Sequence, residues 1–177
     1  LDIKQAPIAE PTAVSLHAIE LAIASLKKPL DQSNVLIIGG GAIGLLCALI
    51  LEKVNKCKEI FLSEPNTKRL QVCKNSLNSN CVNPFKKEIN HNSFDIIFDT
   101  VGMEATRQSA IKFVKPGGLI IHIGLTQPSG IFDFRKATLQ EITFIGTYCY
   151  TNRDFEETLN ILSKGMIGDL NWIEFRE

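Results

Sequence analysis

The run Gly39-Gly40-Gly41-Ala42-Ile43-Gly44 carries glycines at the spacing G-x-G-x-x-G. Directly before it lies Val35-Leu36-Ile37-Ile38, an aliphatic run too short for a helix, and after it apolar residues return at helical spacing. An acid, Glu64, follows at the end of the next strand-like run, 20 residues beyond Gly44. In that setting the chemistry is diphosphate binding by main-chain amides. Gly39 permits the tight turn from strand to helix, a side chain at Gly41 would keep a pyrophosphate off the backbone, and Gly44 lets the helix pack closely on the strand. The first free amides of that helix, around Ala42 and Ile43, then face the phosphates, helped by the positive end of the helix dipole. Glu64 can accept hydrogen bonds from both hydroxyls of an adenosine ribose, so the expected ligand is a dinucleotide. A 2′-phosphate there would meet like charge, which favours NAD over NADP. Arg69 is the competing signal, since an arginine after the second strand can serve a 2′-phosphate, although Lys68-Arg69 also suits a solvated helix face. The bland alternative is a glycine-rich turn that only joins strand to helix.

These residues need a scaffold, and the chain alternates strand-like and helix-like segments. Helical spacing of Leu16, Ile19, Ile23 and Leu26 predicts a helix over 12–28, capped by Thr12 and stopped near Pro29. Further helices are expected over 42–54, 66–76 (with Asn66 as N-cap), 104–114 and 154–163. Strands are expected at 35–38, 59–63, 81–82, 94–100, 119–123 and 143–145, with a polar loop over 83–93. Alternation of this kind implies an α/β fold, a doubly wound, mostly parallel Rossmann sheet with helices on both faces. No internal repeat or Pro/Gly/Ser linker divides the chain, so residues 1–177 read as one domain.

Composition narrows the partners. The 177 residues are 45% hydrophobic, enough for a core, and 19 Lys+Arg balance 19 Asp+Glu. Without a basic stripe, nucleic acid and membrane surfaces lose their usual electrostatic attraction. Residues 35–51 are uncharged and contain Gly40-x-x-x-Gly44, the spacing of a membrane helix pair, but they fall short of the ~20 residues that span a bilayer. Five cysteines (Cys47, Cys57, Cys73, Cys81 and Cys149) form no C-x-x-C pair, so reduced packing thiols in a cytoplasmic protein are expected. His17, His91 and His122 read as structural. Asp95 and Asp99 flank a strand without making an acid–base pair.

Several stretches, in order and spacing, extend the pattern: Glu10-Pro11 with Ser15-Leu16-His17-Ala18, Ser63-Glu64-Pro65-Asn66 with Lys68-Arg69-Leu70, and Asp95 through Gly102. Lys115-Pro116-Gly117-Gly118 and Phe144-Ile145-Gly146-Thr147 complete it. With the glycine run they resemble, over nearly the whole chain, the cofactor domain of zinc-type medium-chain dehydrogenases/reductases, on the sorbitol and threonine dehydrogenase side of the alcohol dehydrogenase family.

The resemblance implies that Thr100 and Val101 border the adenosine half of the cofactor. It implies that Ile123, Gly124 and Leu125 pass beneath the nicotinamide, and that the backbone at Thr147 and Cys149 holds the carboxamide. The stretch from Phe132 to Tyr148 would form a dimer edge, hence a homo-oligomer. Glu10 matches a glutamate that approaches the catalytic zinc in part of the family, though a zinc site needs three protein ligands. The family's Cys and His-Glu zinc motif is absent, and the chain starts at Leu1 rather than Met, so it reads as an excised cofactor domain without catalytic residues. The implied full-length enzyme is a NAD-dependent dehydrogenase in which zinc polarises the oxygen of a small alcohol or polyol and hydride passes to the nicotinamide. The fragment alone is expected to be inactive. Sorbitol dehydrogenase relatives often carry arginine at the place of Cys149, a departure that puts a polyol substrate in doubt. Two rivals remain: a non-catalytic dinucleotide-sensing module, and an S-adenosylmethionine methyltransferase, against which the G-x-x-G spacing into the helix counts.

Overall fold

A computed structural model describes residues 6–174. Six strands form one sheet: β1 (Asn34–Ile38), β2 (Glu59–Ser63), β3 (Asn80–Val82), β4 (Phe94–Asp99), β5 (Val114–His122) and β6 (Thr143–Gly146). Their order is β3-β2-β1-β4-β5-β6 and every pairing is parallel. The central strands are aliphatic throughout because both of their faces are covered. On one face Val35, Ile37, Ile60 and Leu62 pack against helices α1 (Ala9–Ser25), α2 (Ala42–Leu49), α3 (Thr67–Ser76) and α6 (Asn152–Ser163). On the other, Leu36, Ile38, Ile97 and Ile120 pack against α4 (Glu104–Phe113) and α5 (Phe134–Leu139). The alternation of successive β1 residues between the two clusters is the period-2 geometry of a strand. The chain is thus the doubly wound α/β sheet that its alternating pattern implies.

Helix α1 begins at Ala9, three residues before the expected cap. Thr12 lies inside the helix, buried, its hydroxyl donating to the Ile8 carbonyl at 2.6 Å, and no side chain caps the start. Pro11 explains the earlier start, because a proline in the first turn lacks only an amide that would have no partner there anyway. Small residues Ala13, Ala18 and Ala22 are fully buried and bring α1 close to its neighbours. Helix α2 continues past Leu49 as a π-helical turn, Ile50–Val54. Lys115-Pro116-Gly117-Gly118 follows the end of α4 but belongs to β5, where the register against β4 shifts between Phe94 and Ile96. Helix α5 has no counterpart among the expected elements; it is six residues long and Asp133 caps it, accepting from the Lys136 amide at 2.8 Å.

Asp95 ties the amino-terminal edge of the sheet together. One carboxylate oxygen accepts from the Asn34 amide at 2.8 Å and from the ammonium groups of Lys28 at 2.9 Å and Lys115 at 3.1 Å. Burial alone pushes this carboxyl up. The Asn34 amide and the two lysines outweigh it and hold the group below the ordinary 3.8. A carboxylate with a depressed folded-state value stabilises above the ordinary range, and that contribution is lost as the pH falls through the folded-state value. Asp95→Asn is therefore expected to cost about 1 kcal/mol near pH 7, with the gap from wild type closing in acid. Thermal melts at both ends of the range check this; an equal gap at both would show that the charge is not the source.

Candidate functional site

In an all-parallel sheet the carboxyl ends of the strands share one edge, and the residues singled out from the sequence follow those ends. Gly39 to Gly44 follow β1, Glu64 follows β2, Thr100 and Val101 follow β4, Ile123 to Leu125 follow β5, and Thr147 and Cys149 follow β6. The chain runs outward from β1 through β2 to β3, then crosses back to β4 on the other side. Between β1 and β4 the connections therefore diverge to opposite faces and leave a crevice, the switch point where ligands of open α/β sheets sit.

The glycines divide the work at that crevice. Gly39 has φ +104°, a left-handed conformation that side chains resist, and a Cβ there would lie 2.6 Å from Val101 Cγ2. At Gly44 a Cβ would lie 1.9 Å from the Gly39 carbonyl oxygen, so α2 approaches β1 as closely as backbone allows. Gly41 differs: a Cβ there would meet nothing within 4 Å. It is the N-cap of α2, with no side chain to offer the helix, so the first amides of α2, which lack intrahelical partners, open onto unfilled space.

Gly40, the variable position of the dinucleotide motif, is tightly used as well. Its amide donates to Glu64 Oε2 at 2.7 Å, and a Cβ would sit 2.9 Å from Cys73 Sγ and 3.0 Å from Glu64 Cβ. The other oxygen of Glu64 accepts from the Asn66 amide at 2.7 Å. The carboxylate is 4% exposed and held in one orientation by two amides, and each oxygen keeps a second lone pair. Asn66 caps α3 as expected, accepting from the Lys68 and Arg69 amides at 3.0 and 3.1 Å, and Arg69 is exposed on that helix. Burial pushes the Cys73 thiol beneath Gly40 up to about 12, which leaves it a packing group.

On the other side of the crevice Asp99, fully buried, accepts from the Val101 and Gly102 amides at 3.1 and 3.0 Å and from the Thr106 hydroxyl at 3.0 Å. It shapes the turn that carries Thr100 and Val101. An Asp immediately before such a turn, whose side chain can accept from the amide two residues on, is the signal that could have revealed this role. Thr100 Oγ1 donates to the Ile38 carbonyl at 2.8 Å and so ties β4 to β1. Ile123 and Gly124 donate to the Asp99 carbonyl at 2.9 and 3.0 Å, and Thr147 to the His122 carbonyl at 3.1 Å. Cys149 is exposed, with φ +55°. Of the histidines, His17 pairs with Asp154 of α6 at 2.9 Å and His91 is on the surface, while His122, the last residue of β5, has its Nε2 3.8 Å from Asp99 Oδ2.

The residues fit a bound dinucleotide, because the one place where a diphosphate needs bare backbone is open and uncapped. A metal is a different matter. Glu10 is exposed in the first turn of α1, and among the described residues no three His, Cys, Asp or Glu side chains could hold an ion together. Nor is any described helix long and apolar enough to cross a membrane.

A doubly wound parallel sheet with a glycine turn at its switch point defines the Rossmann-like α/β class. Within that class the chain belongs to the zinc-binding dehydrogenase family, whose sequence profile, described as "Zinc-binding dehydrogenase", matches residues 42–164. It corresponds to the cofactor-binding domain of these zinc-type medium-chain enzymes. It is 30% identical over 174 residues to (R,R)-butanediol dehydrogenase of Saccharomyces cerevisiae, covering 92% of this chain and 44% of that protein. L-idonate 5-dehydrogenase from Escherichia coli superposes with a TM-score of 0.82 at 23% identity, over 93% of this chain and 47% of that one. For 2R,3R-butanediol dehydrogenase from Bacillus subtilis the values are 0.79, 22%, 94% and 48%. The chain thus spans less than half the length of these relatives, and the two solved structures speak to its fold.

Proposed function

We propose that this chain is the NAD-binding unit of a zinc-dependent alcohol or polyol dehydrogenase, residues 1–177 forming a single dinucleotide-binding domain. The observation that carries the reading is the start of α2, uncapped and open at Gly41, beside the carboxylate of Glu64 at the switch point of the sheet. The amides of Ala42 and Ile43 would hold the diphosphate and Glu64 the adenosine ribose, while Thr100 and Val101 border the adenosine half. Ile123, Gly124 and Leu125 would support the nicotinamide, and the backbone at Thr147 and Cys149 its carboxamide. NAD supplies the hydride acceptor when bound; this chain supplies position. The metal ligands and the substrate contacts of the whole enzyme belong to a part of it other than these described residues, so the domain alone binds cofactor without turning over an alcohol.

Among the described residues, the carbonyl and amide groups on the outer edge of β6 have no neighbouring strand. Phe144 lies on β6 itself, Leu139 shortly before it and Tyr148 just after it, and all three are exposed apolar side chains. An unprotected edge with an apolar surround invites a second chain, which supports a homo-oligomer formed through residues 132–148. The even charge balance and the buried thiols support a cytoplasmic protein that engages neither nucleic acid nor membrane.

Calorimetric titration with NAD and NADP tests the cofactor choice. NAD is expected to bind wild type at least about tenfold more tightly, the effect of a like-charge contact of about 1.4 kcal/mol. Glu64→Gln removes the negative charge and should narrow the preference. NADP binding wild type more tightly than NAD would overturn the assignment of Glu64, with Arg69 then the residue serving the 2′-phosphate.

A further inference from the structure

Arg107 projects from α4 into the protein with 9% of its surface exposed, and no carboxylate of the described residues pairs with it. Its guanidinium donates instead to main-chain carbonyls: Nη1 to Gly102 at 3.0 Å and Gln127 at 3.2 Å, and Nη2 to Ser129. Those carbonyls come from two separate loops, one after β4 and one after β5. The loops already touch. Gln127 donates its amide to the Gly102 carbonyl at 3.0 Å, and the Thr126 hydroxyl donates to the Val101 carbonyl at 2.6 Å. A Cβ on Gly102 would lie 1.9 Å from the Gly124 oxygen, and one on Gly124 2.0 Å from the Val101 carbonyl carbon, so the two backbones lie in direct contact.

A buried charge is a poor way to add stability, since an apolar side chain of similar volume serves as well or better. What a guanidinium offers is a planar fork whose donors reach several acceptors at fixed angles. Here the fork joins loop to loop. We infer that Arg107 is a positioning residue for the cofactor: it clasps the turn at Gly102 to residues 127–129 and thereby fixes the ledge Ile123-Gly124-Leu125 that supports the nicotinamide. The inference rests on the dinucleotide reading above and adds to it a residue that touches no part of the cofactor.

The test compares NAD with ADP-ribose, which shares the adenosine, diphosphate and second ribose but lacks the nicotinamide, on the 177-residue chain. Arg107→Met is expected to weaken NAD binding about tenfold and to leave ADP-ribose within about twofold of wild type. Arg107→Lys retains the charge and stem but offers one nitrogen in place of the fork, so an intermediate loss of about threefold for NAD alone is expected. The lysine variant also decides the matter if the methionine variant does not fold. A merely structural role would weaken both ligands together. Equal losses for the two ligands, or no loss with either variant, overturn the role of Arg107 while leaving the dinucleotide reading in place. A wild-type chain that binds neither ligand overturns that reading, and this inference with it.

Discussion

Gly41→Asp is expected to abolish NAD binding while leaving the protein slightly more stable than wild type. The two effects have opposite signs because one set of groups serves both. Gly41 has φ −75° and ψ −170°, an extended conformation open to any residue, and its Cβ position faces empty space, so aspartate enters without strain. Aspartate is among the best N-caps, where its carboxylate accepts from the first amides of the helix and meets the positive end of the dipole. The gain is about 0.5 kcal/mol, a rise in melting temperature of about 1–2 °C for a chain of this length. The same carboxylate occupies the amides proposed for the diphosphate and places a negative charge against it. The loss of affinity is expected to be at least about 100-fold, or roughly 2.7 kcal/mol. Differential scanning calorimetry and NAD titration on one preparation measure both. Wild-type affinity in this variant would mean that the start of α2 is not where the cofactor binds.

Gly44→Ala should act the other way, on the fold itself. An alanine is ordinarily worth about 1 kcal/mol over glycine inside a helix. Here its methyl would lie 1.9 Å from the Gly39 carbonyl oxygen and 3.0 Å from Thr100 Oγ1. Neither can retreat freely: the Gly39 amide is bonded to the Ser63 carbonyl at 2.8 Å, and Thr100 Oγ1 to the Ile38 carbonyl at 2.8 Å. Helix α2 must therefore lift from β1, and overpacking of this kind costs up to about 3 kcal/mol. The propensity gain offsets only part, leaving a net loss of about 2 kcal/mol and a melting temperature lower by about 4–8 °C. A variant melting at or above wild type would show that α2 does not seat on β1 through this glycine.

These two substitutions lie three residues apart in one motif and differ in kind: a Cβ at Gly44 would meet the Gly39 backbone, and one at Gly41 nothing within 4 Å. The left-handed turn at Gly39, the contact of Gly44 with the Gly39 backbone and the cap at Asn66 were legible, because each acts within a few residues of chain. Gly40 shows where that legibility stops. Nothing in its neighbouring sequence calls for glycine; the demand comes from Glu64, just past β2, and from Cys73 on α3. Thr12 shows the converse, a residue with the right chemistry for a cap that lies one turn inside its helix because Pro11 tolerates the first turn.

Local rules thus decided the alternation of strand and helix, the hydrophobic runs of the central strands and the glycine turn, since backbone sterics and side-chain period act over short stretches of chain. Which strands became neighbours, and therefore that Gly41, Glu64, Val101 and Ile123 share one edge, was decided by packing the two helical layers against both faces of the sheet. Arg107 belongs wholly to that second kind. From its own segment it is one more cation on a helix; only the meeting of two loops brings carbonyls within reach of its fork and makes burying it worthwhile.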